Sequence, residues 1–192
     1  MGLIQTAAPA TEPVTLAEAK SHLRVDGTDD DTLITELIKG ARQLVEGNTG
    51  RSLITQTWRL TLDRFPRNDE AIRLERPPLV SVESVTYVDT NGATQTMATS
   101  DYIVDTSHVQ GEVALAYDKT WPDARAQQNA VLVNYTAGYG AASAVPEALK
   151  AAIKLRLGDL YENREASVIG TIHTANPAAD ALEAIYAVRA FA

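Results

Sequence analysis

Three stretches of this chain carry side chains of the kinds and spacings that can do chemistry. Asp26-Gly27-Thr28-Asp29-Asp30-Asp31 gathers carboxylates in one short run, the raw material of a calcium loop. Such a loop needs alternating oxygen ligands and a distal bidentate glutamate. Neither is present, and acidic residues before a helical run serve equally well as caps on its positive end. Gly138-Tyr139-Gly140 offers the glycines of a phosphate loop, but no G-K-[ST] follows, and the nearest lysine, Lys150, falls inside a helical pattern. A hinge or tight turn is the simpler reading. The third stretch, Tyr161-Glu162-Asn163-Arg164-Glu165, is the densest mixed polar cluster. It reads either as a helix C-terminus, with Asn163 as cap and Arg164 paired to a nearby glutamate, or as a surface on which Arg164 faces another subunit.

The remaining reactive side chains form no constellation. His22, His108 and His173 lie in separate regions without an H-x-x-x-H spacing. Ser81, Ser84 and Ser167 lack the context of a nucleophile elbow. The residues therefore point away from an enzyme, and no cofactor or metal is expected. With no cysteine there are no disulfides or thiolate metal sites. Met1 to Gln5 lacks the basic and apolar segments of a signal peptide, and no run approaches the length of a membrane span, so no membrane partner is expected. Net charge is −8, divided as −4 over residues 1–50, −3 over 51–140 and −1 over 141–192. No part is basic enough to grip a phosphate backbone tightly. An acidic surface lets DNA pass without holding it.

The elements that would position these groups follow from hydrophobic period. Residues 1–12 are small, polar and aperiodic, an extended arm. Thr15-Leu16-Ala17-Glu18 has the T-x-x-E form of a capping box and opens a short helix. A second helix buries Leu33, Ile34, Leu37, Ile38, Ala41, Leu44 and Val45, and Gly47-Asn48-Thr49-Gly50 ends it. From Ile54 the period changes to two, with Trp58, Leu60 and Leu62 on one side. About six strands follow before Tyr135, joined by short turns such as Asp89-Thr90-Asn91-Gly92. Pro146 starts a third helix with Leu149, Ile153, Leu157 and Leu160 on one face. Asn176-Pro177 opens a last one. The fold class is α+β: a discontinuous helix bundle, two helices from each end of the chain, with an inserted antiparallel β domain. The divisions are 1–50 (arm and two helices), 51–140 (sheet or small barrel) and 141–192 (bundle helix and terminal docking helix).

Several motifs in order then resemble one family. They are V-T-L-A-E-A-K-x-H-L-R-V at 14–25, D-D-x-L-I-x-x-L-I-x-x-A-R at 30–42 and S-L-I-T-Q-T-W at 52–58. After them come P-P-L-x-S-V-x-S-V-x-Y-V-D at 77–89, Y-T-A-G-Y-G at 135–140, V-P-x-x-L-K-x-A-I at 145–153 and Y-E-N-R-E at 161–165. Together they resemble the head–tail connector, or adaptor, proteins of long-tailed double-stranded DNA phages and gene transfer agents, over about residues 13–165. The resemblance implies assembly in the bacterial host cytoplasm into a virion or phage-like particle, as a ring of about twelve copies. That ring would sit below the portal protein, extend the DNA channel and meet a stopper or tail-completion protein. No catalytic or ligand motif comes with it.

Two other classes compete. A DNA-packaging or DNA-binding accessory protein would need a basic face, and Arg51, Arg59, Arg64, Arg67, Arg73 and Arg76 give the middle of the chain its only positive bias. A ligand-binding β module would need Trp121 and Tyr139 to line a pocket. For the adaptor, the expected partner contact is the terminal helix, with Leu182, Ile185, Tyr186 and Phe191 as apolar anchors and Arg164 as a polar one.

Overall fold

Alternation of apolar and hydroxyl side chains builds the first of two units in the computed structural model, which describes residues 1–67, 69–163 and 176–188. This unit comprises Met1–Ala10 and Thr55–Tyr139. Strands β1 (Gly2–Ala7), β2 (Gln56–Leu62), β4 (Leu79–Val88), β5 (Thr94–Thr96) and β8 (Val131–Ala137) form an antiparallel sheet in the order β1-β2-β8-β4-β5. Strands β3 (Ile72–Arg73), β6 (Tyr102–Asp105) and β7 (Glu112–Leu115) form a second sheet in the order β3-β7-β6. Register decides which side of the larger sheet is buried. Leu60, Val133 and Val85 are cross-strand partners, as are Trp58, Tyr135 and Val82, and these rows join the core. The rows between them lie on the opposite side: Thr57-Thr136-Ser81, then Arg59-Asn134-Ser84, then Thr61-Leu132-Thr86, of which Thr61 at the β1 edge is buried.

Two strands differ from the sequence reading. The residues expected as a free arm include β1, which pairs with β2 through Leu3↔Leu60 and Ile4↔Arg59. Its small, polar composition hid it, because an edge strand needs only one partner and little apolar content. The short β5, Thr-Gln-Thr, is wholly exposed and was equally silent. Ile54, expected in β2, precedes it and is buried with the helices.

The second unit comprises Thr11–Ile54 and Gly140–Ala192. Its helices are α1 (Leu16–Leu23), α2 (Asp31–Thr49), α3 (Glu147–Glu162) and α4 (Pro177–Ala184). Thr15 and Glu18 form the expected capping box, each side chain accepting from the other's backbone N–H. Gly50 closes α2 with φ 69°, a left-handed geometry that glycine adopts without strain. Leu149, Ile153 and Leu157 of α3 are fully buried, and so are Ile34, Ala41 and Val45 of α2, which packs against it. Each such leucine, isoleucine or valine contributes roughly 1.5–3 kcal/mol by leaving water. Pro146 is the N-cap rather than the first helical residue.

A buried polar knot gathers on the C-terminal half of α2. Arg42 donates to Glu46 at 2.6 Å and to Glu12 at 2.7 Å, while Glu46 also accepts the Leu53 N–H at 2.9 Å. The segment that precedes α1 and the one that follows α2 are thereby fastened to the C-terminal half of α2. No helix among the described residues is long and apolar enough to cross a membrane.

Candidate partner interface

Helix α4 was expected to run on toward the end of the chain as a tethered docking element; it ends at Ala184 and is fastened to α2 and α3 of its own unit. The fastening is polar. Arg156 on α3 donates from Nε to Glu183 at 2.9 Å, and its Nη2 reaches both Glu183 and Asp180. Glu183 also accepts from the Asn48 amide of α2 at 2.7 Å. The Glu183 side chain is 5% exposed and that of Arg156 14%, so the pair sits inside the bundle. The hydrogen bonds that Arg156 donates to Glu183, and then to Asp180, hold the guanidinium protonated and push its pKa further up. Asn176 caps the helix by accepting the Ala179 N–H. Beyond the helix, Arg51 Nε donates to the Tyr186 carbonyl at 2.6 Å, and the Val188 N–H donates to the Thr49 carbonyl at 2.8 Å.

This places the expected anchors differently. Leu182 and Tyr186 are half-buried against their own bundle, whereas Ile185 is 71% exposed and points outward. Arg164 and Phe191 lie outside the described residues. Sequence reading missed Asn48, Arg156 and Glu183 because it scored apolar positions alone. A signal was present: Glu183 stands four residues after Ala179 and three before Tyr186, a core-facing phase for a charged side chain.

The other candidate groups are engaged locally. Asp31 pairs with Lys20 at 2.6 Å, and Asp30 accepts the Tyr161 hydroxyl, so the acidic run ties α1, α2 and α3 together. Gly138 and Gly140 have φ of 134° and 108°, and the Gly138 N–H donates to the Pro78 carbonyl across the chain, one step beyond the Leu79↔Ala137 pair of the β4–β8 ladder. Asn163 donates to the Asp159 carbonyl, closing α3. His108 pairs with Asp105 on the surface, His22 is exposed on α1, and His173 and Ser167 lie outside the described residues. Ser81 donates to Glu83, and Ser84 accepts from Asn134. No group of three metal-ligating side chains occurs among the described residues.

The arginines of the sheet unit are partly spent on neighbours. Arg59 donates to Asn134, Arg73 pairs with Glu112, and the Arg76 guanidinium lies 5.4 Å from the centre of the half-buried Trp58 ring. Trp121 does not open a ligand pocket. It stacks on Phe65 with ring centres 5.0 Å apart and 12° between planes, against the core of its own unit.

Comparison with known proteins identifies the scaffold. No curated protein matches the chain. Among solved structures, a chain from the virion of a native gene transfer agent (GTA) particle is similar at 25% identity, with TM-score 0.80 over 100% of this chain and 98% of that one. A chain from the neck of an empty GTA particle, computed with C6 symmetry, gives 22% identity and 0.81 over 100% and 98%. One from the neck of a native GTA particle, computed with C12 symmetry, gives 23% and 0.80 over the same shares. Residues 13–120, more than half of the chain, match the model of the phage gp6-like head-tail connector proteins, and the chain belongs to that family.

Proposed function

We propose that the chain is a structural head–tail adaptor in the neck of a tailed phage or phage-like particle. About twelve copies would ring the channel below the portal protein and carry it toward a stopper or tail-completion protein. The observation that carries this reading is the full-length likeness to the GTA virion chain, together with the family match. The C12 symmetry of one similar neck supports the copy number. In this reading copies are made in the host cytoplasm, end in the particle, and act mechanically rather than catalytically. Double-stranded DNA passes without tight binding, which the net charge of −8 favours.

The outward side of α4 is the proposed portal contact, with Ile185 as its apolar anchor and the Arg156–Glu183 pair fixing the helix beneath it. Two experiments test the reading. Particles made without the chain should be DNA-filled heads with portals and no tails; normal tailed particles would refute the adaptor role. Ile185→Asp, at an exposed position, should leave a folded chain that enters portal-bearing particles poorly. Undiminished entry would remove α4 from the contact.

A further inference from the structure

We infer that the outward face of the five-stranded sheet is where the next copy of this chain seats. The inference rests on the ring reading above and names the partner surface within it. Its first ground is composition. The three outward rows carry hydroxyl and amide side chains with Leu132 and, on β1, Ile4 as apolar members, Arg59 as their one cation and Glu83, at the adjoining bulge, as the one anion. A sheet face kept only for solvent in a chain that is 22% charged would carry more lysine and glutamate than this. Depletion of charge marks the buried centre of an interface.

The second ground is that the polar groups of this face are already paired with one another. Arg59 donates to Asn134 at 2.9 Å, Asn134 donates to Ser84 at 2.9 Å, and Glu83 accepts from both Ser81 and Thr136. At the edge, the Thr6 and Thr57 hydroxyls share a bond at 2.9 Å. Covering such a face leaves most of its hydroxyl and amide groups bonded, and the seated copy need supply acceptors chiefly for the remaining N–H groups of Arg59.

The third ground selects the occupant. Each copy carries −8, and like-charged surfaces brought together oppose association. Copies therefore meet at least cost where the surface is neutral. A DNA duplex, by contrast, is held by clustered cations, and this face has one arginine balanced by one glutamate. With four strands about 4.8 Å apart spanning three outward rows about 6.8 Å apart, and β5 beside the third row alone, the face covers roughly 400 Å². A stable pair needs about 800 Å² from each partner. The contact is too small to hold a dimer alone and suits copies already arrayed about one axis.

The test uses particles whose only copy of the chain carries a photo-crosslinking phenylalanine analogue in place of Thr86, an outward position in the third row. After irradiation the expected adduct joins two copies of the chain. Adducts to another particle protein or to packaged DNA, or none while the ring is visible in the same particles, would overturn the inference and leave the ring reading standing. Absence of the unsubstituted chain from particles would overturn both. Thr86→Cys is the gentler companion, since the chain has no other thiol. Its maleimide labelling should slow about tenfold between free chain and particle, because reaction needs access. An unchanged rate would also overturn the inference.

Discussion

Glu183→Ala tests whether α4 belongs to the bundle through a buried ion pair. The substitution removes the acceptor of two Arg156 donors and of the Asn48 amide. Taking one partner from a buried pair costs about 3–5 kcal/mol, because the other charge stays behind without compensation. Here Asp180 remains beside the guanidinium at 52% exposure, so part of the pairing survives. A loss of about 2–3 kcal/mol follows. In urea, with a slope near 2 kcal/mol per molar, the midpoint should fall by roughly 1–1.5 M if the bundle unfolds as a whole. If α4 opens by itself, the midpoint moves less and amide exchange in Pro177–Ala184 rises instead, by roughly 30- to 150-fold. Asp180→Ala is the control: as the exposed arm of the network it should cost no more than about 1 kcal/mol. The reasoning fails if Glu183→Ala leaves both the midpoint and the α4 exchange unchanged, or if the control costs as much.

Three further perturbations follow from the same structure. Ile153→Asp places a carboxylate at a fully buried position between helices and should cost more than about 4 kcal/mol, read as loss of cooperative melting. Tyr135→Phe removes the hydroxyl that donates to the Glu75 carbonyl at 2.9 Å and should cost about 1–2 kcal/mol in urea unfolding, with the sheet otherwise intact. Thr15→Ala removes the side-chain half of the α1 capping box, for about 1 kcal/mol. The Thr15 backbone N–H, and then its hydroxyl, hold the Glu18 carboxyl below its ordinary 4.5, so that stabilisation is complete above 4.5 and is lost as pH falls through the lower folded value. Thr15→Ala keeps the backbone N–H and loses the hydroxyl, so it should lessen the Glu18 part of the acid limb of stability against pH without abolishing it, and Glu18→Gln should abolish it. A limb unchanged in both would count against the cap.

The legible parts of the fold were those where one local rule spoke alone. Thr15 and Glu18 at the fixed spacing of a capping box, and Leu149, Ile153 and Leu157 one turn apart, leave few alternatives. Strand β1 was silent because an edge strand is specified by its partner. Only the register Leu3↔Leu60 and Ile4↔Arg59 gives it a side to bury, and that register is absent from residues 1–12 themselves. The end of α4 is hard to place from sequence for a related reason. Apolar spacing ran on past Ala184, but what fastens the helix is Glu183, whose partners Asn48 and Arg156 are far away in the chain. Charge in a core position becomes readable only when its counter-charge is known to be near.

The ion pairs also change what the net charge means. Among the described residues of the helical unit, the bridging cations are drawn inward: the Arg42, Lys150, Arg156 and Lys20 side chains are 6%, 11%, 14% and 17% exposed. Two of their partners stay outside, Glu147 at 84% and Asp180 at 52%, while Glu183, Glu46 and Glu12 are drawn in with them at 5%, 10% and 19%. Around Lys150 and Arg156, solvent therefore meets the carboxylates of Glu147 and Asp180 rather than the cations they pair with. That arrangement works in two directions. It weakens any hold on a passing phosphate backbone, as a conduit requires. It also makes neighbouring copies repel wherever such surfaces would meet, and the repulsion is screened only beyond about 8–10 Å at moderate salt. The helical unit thus limits close contact between copies to surfaces where charge is absent or paired, and on the sheet unit the outward rows through Thr57, Asn134 and Thr86 are such a surface.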